Sequence, residues 1–460
     1  MIEGLKPYPE QKDSGVFWLG SIPSHWEIKP GFAAYREKQQ KNIGMVKKRV
    51  LSLSYGRIVI KSEDKFHGLI PKSFETYQIV NPGEIIIRST DLQNDWTSLR
   101  VGLVRDRGII TSAYICLNMV GPLLPEYGYQ QLNACDLMKV FYGMGSGLRQ
   151  NLSFSDFKRM PIVIPPHEEQ SAIVHFLNYA NTRIDRAIQA KKKLIALLNE
   201  QKQAIIHHAV TRGIDRDTRL KRSELPWVSE FPAHWKRIPV KRLLSRMDYG
   251  TSEVSRESGT IRVLSMANIQ RGEVIVPGSD GVNKLPDSLL LEHNDLLFTR
   301  TNGNPDLVGK VGIFRGDVSD RVSFASYLVR LRTRPPCDPQ WLHMLLNSSA
   351  FWPFARSHAL VNLQTNLNST RYGQLSIPVP PSNEQVRISR WVENESKALN
   401  AALRRAEEEI SLLREYRTRV IADVVTGKLD VREAARSLPE THKELPFQVD
   451  DEEFEEEEIA

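Results

Sequence analysis

The chain has 460 residues, 41% hydrophobic and 25% charged, an ordinary balance for folded domains that excludes a fibrous or wholly disordered protein. No run approaches 18 uncharged apolar residues, so no transmembrane helix is predicted, and Met1–Pro7 has neither the basic start nor the apolar core of a signal peptide. Cys116, Cys135 and Cys337 are the three cysteines; they lie far apart without CxxC spacing, which leaves neither a disulfide framework nor a zinc site and fits a cytoplasmic protein with reduced thiols.

The net charge of +7 is unevenly distributed. Thr441–Ala460 holds nine acids and one lysine, so the rest of the chain carries 61 basic against 46 acidic residues, a net +15. A body this basic favours a polyanionic partner, of which nucleic acid is the usual one. The acidic run Asp450–Glu458 repels itself, which predicts a disordered tail, taken as residues 431–460.

In chain order, the first segment opens on Trp18-Leu-Gly-Ser-Ile-Pro23-Ser-His25-Trp26. Short aliphatic runs such as Ile85-Ile86-Ile87 and Ile109-Ile110 follow between Gly, Asn, Asp and Pro, and these read as strands and turns. Directly after Ile87 comes a polar loop containing Arg88, Ser89, Thr90, Asp91, Gln93 and Asn94 and ending at Trp96. The segment closes on Pro161-Ile-Val-Ile-Pro165-Pro166, which cannot continue a helix and favours extended chain. From about 168 to 211 no proline or glycine interrupts the chain, and Gly213 stands where a C-terminal stop belongs. Within it Leu177, Ile184, Ile188, Ile195, Leu198 and Ile205 recur at spacings of seven, four and three, a coiled-coil seam broken by Lys191 and Lys202.

The remainder repeats this plan. Trp227–Trp235 matches Trp18–Trp26 at an offset of 209, Asn294–Phe298 matches Gly83–Ile87 at 211, Tyr327 matches Tyr114 at 213, and Leu363–Leu367 matches Leu148–Leu152 at 215. Pro380-Pro381-Ser-Asn-Glu384-Gln385 also matches Pro165-Pro166-His-Glu-Glu169-Gln170 at 215. Order is kept while the offset drifts as loop insertions would make it, so the chain is an internal duplication. Val274-Ile275-Val276 reads as a strand and Trp341–Asn347 as a helix. A second long helix over about 384–426 ends at Gly427. Its apolar residues Val392, Leu399, Leu403, Ile410, Leu413 and Val420 stand 215 after those of the first seam, broken by Ser396 and Arg417. Forty-four helical residues would extend about 66 Å. Neither helix can hide its stripe alone, so the two are predicted to pack antiparallel with a globular domain at each end; the alternative docks each helix on its own domain. The fold class is α+β.

Familiar catalytic motifs fall short. Phe141-Tyr142-Gly143-Met144-Gly145 fits the F-x-G-x-G with which adenine methyltransferases hold S-adenosylmethionine, but their D/N-P-P-aromatic turn is absent and the second copy has no glycines there, so a flexible loop is expected. Gly143–Gly147 lacks the Gly-Lys-Ser/Thr of a phosphate loop. Glu63-Asp64-Lys65 lacks the Pro-Asp of a metal nuclease and reads as an exposed turn. His25 and His234 stand in matched P-x-H-W segments without companion ligands, which favours packing or hydrogen bonding over metal. His207 and His208 are adjacent on a helix and point about 100° apart. The chain therefore reads as non-catalytic, with no metal site. Both copies instead place base-reading chemistry at the same point of the repeat: Arg88, Ser89, Thr90, Gln93 and Asn94 in the first, Thr299, Arg300, Thr301, Asn302 and Asn304 in the second. Arg pairs bidentately with guanine, Asn or Gln with adenine. Lys47-Lys48-Arg49, Lys236-Arg237 and Lys241-Arg242 suit phosphates.

Two such domains, each followed by a proline stop, a Glu-Gln pair and a long helix, form a combination that resembles the specificity subunit of type I restriction–modification systems. The resemblance rests on Trp227–Trp235, on Pro165–Gln170 and Pro380–Gln385, and on the helix ending Leu413-Arg-Glu-Tyr416-Arg-Thr-Arg-Val420-Ile-Ala-Asp-Val-Val425-Thr426-Gly427-Lys428. The first helix departs from it, ending Thr211-Arg212-Gly213. The match covers roughly residues 1–436. It implies target recognition domains at 1–166 and 214–381, each reading half of an asymmetric bipartite site on double-stranded DNA. It also implies antiparallel spacer helices at 167–213 and 382–430, with a pseudo-two-fold symmetry that suits two half-sites. Two methyltransferase subunits and translocating restriction subunits would be the partners, and they rather than this chain would carry S-adenosylmethionine, ATP and Mg. Read without the resemblance, the residues leave open a non-catalytic coiled-coil scaffold or regulator binding protein alone, and a DNA enzyme with a dispersed site.

Overall fold

The computed structural model describes residues 5–61, 73–93, 99–144, 150–253, 259–276, 281–316, 321–361 and 365–439. The expected turn Glu63–Lys65, Asn94 and Trp96 of the first polar loop, Gly145–Arg149, Asn362–Gln364 and the acidic run Asp450–Glu458 lie outside the described residues. The chain divides into two compact units, residues 1–191 with 408–460, and residues 192–407. Both are mixed α+β. Among the described residues no helix is long and apolar enough to cross a membrane.

The first unit is built on a four-stranded antiparallel sheet in the order Tyr35–Lys38, Ile115–Met119, Ile85–Ile87, Val101–Leu103. All three isoleucines of Ile85–Ile87 are buried. Alternation along a strand sends neighbours to opposite faces, so both faces must be covered. Ile85 and Ile87 join the main core with Trp26, Tyr35, Val101 and Leu132, while Ile86 packs in a smaller cluster with Leu51, Val80 and Ile110. The second unit repeats the arrangement. Its sheet runs Leu244–Tyr249, Leu328–Thr333, Leu296–Thr299, Val311–Ile313, then continues through Glu273–Val274 and Ile269–Gln270. Leu296 and Phe298 face the main core and Leu297 the smaller cluster. The strand expected over Val274–Val276 is shorter: Glu273–Val274 forms the strand, and exposed Ile275 adds one last backbone bond, its N–H donating to the Asn268 carbonyl (2.8 Å). The helix expected over Trp341–Asn347 spans Pro339–Leu346, with Asp338 capping its first N–H groups.

The proline stops are strands. Pro161–Ile164 pairs with Glu27–Pro30, and Ser376–Val379 with Lys236–Pro239. Each leads into a long helix, the central helix His167–Arg212 and the distal helix Ser382–Val425. Both helices start in the same way. Buried Gln170 accepts the Leu124 N–H (2.8 Å) and donates to the Pro165 carbonyl (2.9 Å). Gln385 accepts the Asp338 N–H (2.8 Å) and donates to the Pro380 carbonyl (2.9 Å). The preceding acids hold the tryptophans. Glu169 accepts from Trp26 Nε1 (2.9 Å) and Tyr8 Oη (3.1 Å), pairs with His25 Nε2 (2.7 Å) and lies 3.4 Å from the Arg432 guanidinium. Glu384 accepts from Trp235 Nε1 (3.0 Å) and pairs with His234 Nε2 (2.7 Å). The duplicated His-Trp and Glu-Gln pairs are thus the two halves of one joint, and the histidines make the hydrogen bonds expected of them. At the other end Gly427 is obligatory: its φ is +75°, and a Cβ would sit 2.3 Å from Pro23 Cδ.

Each helix belongs half to one unit and half to the other. In the first unit Leu177, Ile184 and Ile188 are buried, as are Ile410 and Val420, with Leu413 half-buried. Asp185 there pairs with Arg417 and Lys191 with Glu409, so one helix ascends as the other descends. The two seam interruptions Lys191 and Arg417 therefore each have an acid partner on the other helix. In the second unit Val392 is buried and Ile195, Leu198, Ile205, Leu399 and Leu403 are half-buried. Ser396 is buried, and Lys202 is half-buried, its pKa lowered by burial.

Two expectations are corrected. Residues 431–439, counted with the tail, are ordered: Arg432–Ser437 is helical, and Val431 and Ala435 join the first unit's core. Val431, Ala434, Ala435 and Leu438 form an apolar face that the acids beyond them obscured. The stretch expected to be a flexible loop begins as a short helical turn, Val140–Gly143, with Phe141 and Tyr142 buried.

His343 gives the second unit a pH dependence. Burial, aided by the Arg315 charge, lowers its pKa from the ordinary 6.5 to about 4. The native state then holds it neutral, with Nε2 against the Val311 carbonyl at 3.2 Å. Because the unfolded chain takes up the proton first, this contribution is intact above pH 6.5 and is lost as pH falls towards 4. About 3 kcal/mol is at stake. Denaturation of the full chain at a series of pH values should show the loss, and His343→Gln should flatten it.

Candidate nucleic-acid interface

The strand Ile85–Ile87 delivers the chain to the first polar loop. The Arg88 N–H donates to the Arg100 carbonyl (2.8 Å), and the Ser89 carbonyl accepts the Leu152 N–H (2.8 Å). Ser89 is buried and its hydroxyl donates to the Ala113 carbonyl (3.1 Å), so it fastens the loop and does not face a duplex. Asp91 adopts φ +58°, its N–H donating to Asn151 Oδ1 (3.0 Å). Arg88 and Thr90 are half-buried and Gln93 is exposed.

The residue that sequence reading passed over is Arg100. It is 0% exposed, and its guanidinium donates to the carbonyls of Arg88 (3.2 Å), Thr90 (2.7 Å) and Asp91 (3.2 Å) and to Tyr142 Oη (3.0 Å). A planar fork with five N–H donors can gather several carbonyls where an ammonium cannot. One buried side chain thereby sets the backbone path of the loop.

The second loop sits on the same frame. The Thr299 N–H donates to the Lys310 carbonyl (2.9 Å) and the Arg300 carbonyl accepts the Leu367 N–H (2.7 Å), the counterparts of the Arg88–Arg100 and Ser89–Leu152 bonds. Thr299 is buried, so it too is withdrawn from the surface. Arg300, in the register position of Ser89, is half-buried and lies over the Tyr249 ring at 4.9 Å. Its Nη1 donates to the Ser326 carbonyl (3.4 Å), and its N–H donates to the carbonyl of Tyr327 (3.1 Å). Tyr249 and Tyr327 are both partly exposed; the Tyr249 ring backs this arginine, while Tyr327 meets it through its backbone carbonyl. Thr301 and Asn302 pair with Asn366 and Thr365 in a short ladder. Asn302 Oδ1 accepts the Asn304 N–H (2.8 Å) and Asn304 Oδ1 accepts the Asp306 N–H (2.9 Å). These asparagines hold the turn themselves, the task Arg100 performs in the first unit.

Each unit also carries exposed cations elsewhere in its chain. Lys48, Lys236, Arg237, Lys241 and Arg242 are exposed, and Arg49 approaches Asp106 at 3.6 Å. Among the described residues no three His, Cys, Asp or Glu side chains gather as a metal site. Among the described residues each unit thus presents a hydrogen-bonded polar segment at the end of a core strand, with basic side chains on the unit's surface, and the two segments differ in chemistry.

No family model matches the chain. It is 22% identical over 364 residues to the specificity subunit of the type I restriction enzyme MjaVIII of Methanocaldococcus jannaschii, a match spanning 76% of this chain and 81% of that protein. It is 25% identical over 259 residues to the EcoKI specificity subunit of Escherichia coli, and here the match spans 53% of this chain and about half of the relative, 52%. A chain from a solved type I restriction–modification system, studied for its assembly and conformational transition, shares the fold with a TM-score of 0.59 at 13% identity, over 88% of this chain and 98% of that one.

Proposed function

Because the chain is a relative of the specificity subunits of type I restriction enzymes, we propose that it reads DNA sequence for a restriction–modification complex and performs no chemistry itself. The observation that carries this reading is the recurrence of one frame with two different polar loops: the Arg88 and Ser89 backbone bonds reappear at Thr299 and Arg300, while the side chains do not match. Different loops read different half-sites, so the target is bipartite and asymmetric. Arg300, backed by Tyr249, suits a guanine edge or a phosphate, and Gln93 suits adenine. Exposed lysines and arginines hold the backbone.

Two modification subunits, one per repeat, bind the chain, bring S-adenosylmethionine and take the target adenine out of the stack. Restriction subunits bring ATP hydrolysis and Mg. The complex works in the cytoplasm, where its DNA is. The paired helices act as a ruler between half-sites about one helical turn, roughly 34 Å, apart. Inserting four residues into both helices is expected to lengthen the gap between unchanged half-sites, and a methylated motif of unaltered length would contradict the ruler. Titrating purified chain with duplex DNA between about 50 and 200 mM salt tests the DNA reading itself. A steep fall in affinity supports it; no binding at any salt points to a protein-only scaffold.

A further inference from the structure

A tight turn in the first unit, Asn42–Arg49, carries side chains that its surroundings do not explain. Ile43 is 73% exposed, Val46 67% and Met45 38%, three apolar residues within four positions. Yet the turn is rigidly framed. Asn42 is 0% exposed; its Oδ1 accepts the Lys47 N–H (2.9 Å) and its Nδ2 donates to the carbonyls of Lys47 (2.8 Å) and Phe74 (3.3 Å). The Asn42 N–H donates to the Tyr77 carbonyl (2.9 Å), and the Gly44 N–H to Glu75 Oε1 (2.8 Å). Met45 has φ +50°, a conformation costing about 1 kcal/mol or more for a residue with a Cβ. An exposed turn would ordinarily use glycine or asparagine there. An apolar tip on a stiff, locally strained frame is suited to a partner that dries it.

The charges around the tip say which partner. Lys47, Lys48 and Arg49 are on the turn and Lys41 precedes it, while among the described residues the acids that touch it are Glu75, held on Gly44, and Asp106, 3.6 Å from Arg49. That excess of cations fits phosphates. Resting on the DNA-reading function above, we propose that Ile43, Met45 and Val46 form a wedge that enters the stack of a duplex beside the half-site read by the first unit, with Lys47 and Lys48 on the flanking phosphates. Apolar side chains inserted between base steps unstack and kink DNA, and neighbouring cations hold the bent backbone.

The test uses the full chain and a duplex carrying its methylated motif, with 2-aminopurine placed in turn at each step in and beside the first half-site. Wild type should raise the fluorescence at one step. I43S/M45S/V46S should abolish that rise and weaken binding about tenfold with an unchanged salt slope, while its thermal melting stays close to that of wild type because Ile43 and Val46 are largely exposed and Met45 partly so. K47A/K48A should keep the fluorescence rise at saturation and make the salt slope shallower by about one to two. Binding without a fluorescence rise at any step, or a triple variant equal to wild type, overturns the wedge alone. A triple variant that binds DNA normally but no longer holds a modification subunit overturns it in favour of a protein-docking turn. Failure of wild type to bind the duplex overturns the wedge and the DNA reading together.

Discussion

Replacing Arg100 with methionine is expected to destabilise the first unit by roughly 2–4 kcal/mol and to relax reading of one half-site while the other stays sharp. Methionine keeps much of the volume and withdraws the guanidinium donors from the carbonyls of Arg88, Thr90 and Asp91 and from the hydroxyl of Tyr142. With the clamp gone, the loop can sample other paths, and side chains such as Gln93 lose their fixed relation to the bases. Arg100→Lys should fall between, since an ammonium reaches one or two carbonyls and not the set. Denaturation gives the stability change, and the methylated sites written with each variant give the half-site change. A variant that loses stability but keeps both half-sites sharp would reduce Arg100 to a packing residue.

The second large effect belongs to the joint at the start of the central helix. Glu169→Leu is expected to cost about 3–5 kcal/mol. It leaves Trp26 Nε1 and Tyr8 Oη without their acceptor in the core, and it removes the acid beside Arg432 and His25. Glu384→Leu should cost less, about 1–3 kcal/mol, because His234 and Trp235 are its donors and His234 is partly exposed. Guanidinium denaturation of both variants measures the difference. Equal losses would mean that the Tyr8 and Arg432 contacts contribute nothing.

That joint also explains what was legible in the sequence. The duplicated tryptophans and Glu-Gln pairs stand out because the contact needs those side chains in both partners, about 144 positions apart in the first unit. The long helices were legible from their seam, since a period of three and four survives any loop change. The strand limits were not: Val274–Val276 looks uniform, and only the partner strand decides that its backbone bonding stops at Ile275. The site was legible as a place but less so as residues. Ser89 and Thr299 alternate inward, and Asn302 and Asn304 have the composition of a base reader and of a turn cap alike. Arg100 left no mark because its bonds run to backbone carbonyls nine to twelve residues away.

The most direct measurement is a map of methylated adenines in cells expressing this chain together with the modification subunit encoded beside it, against cells expressing each alone. Methylation at one asymmetric, gapped motif, present only when both proteins are made, is the expected result, and it names the half-sites. Methylation by an active modification subunit that does not change with this chain would contradict a role in reading DNA sequence.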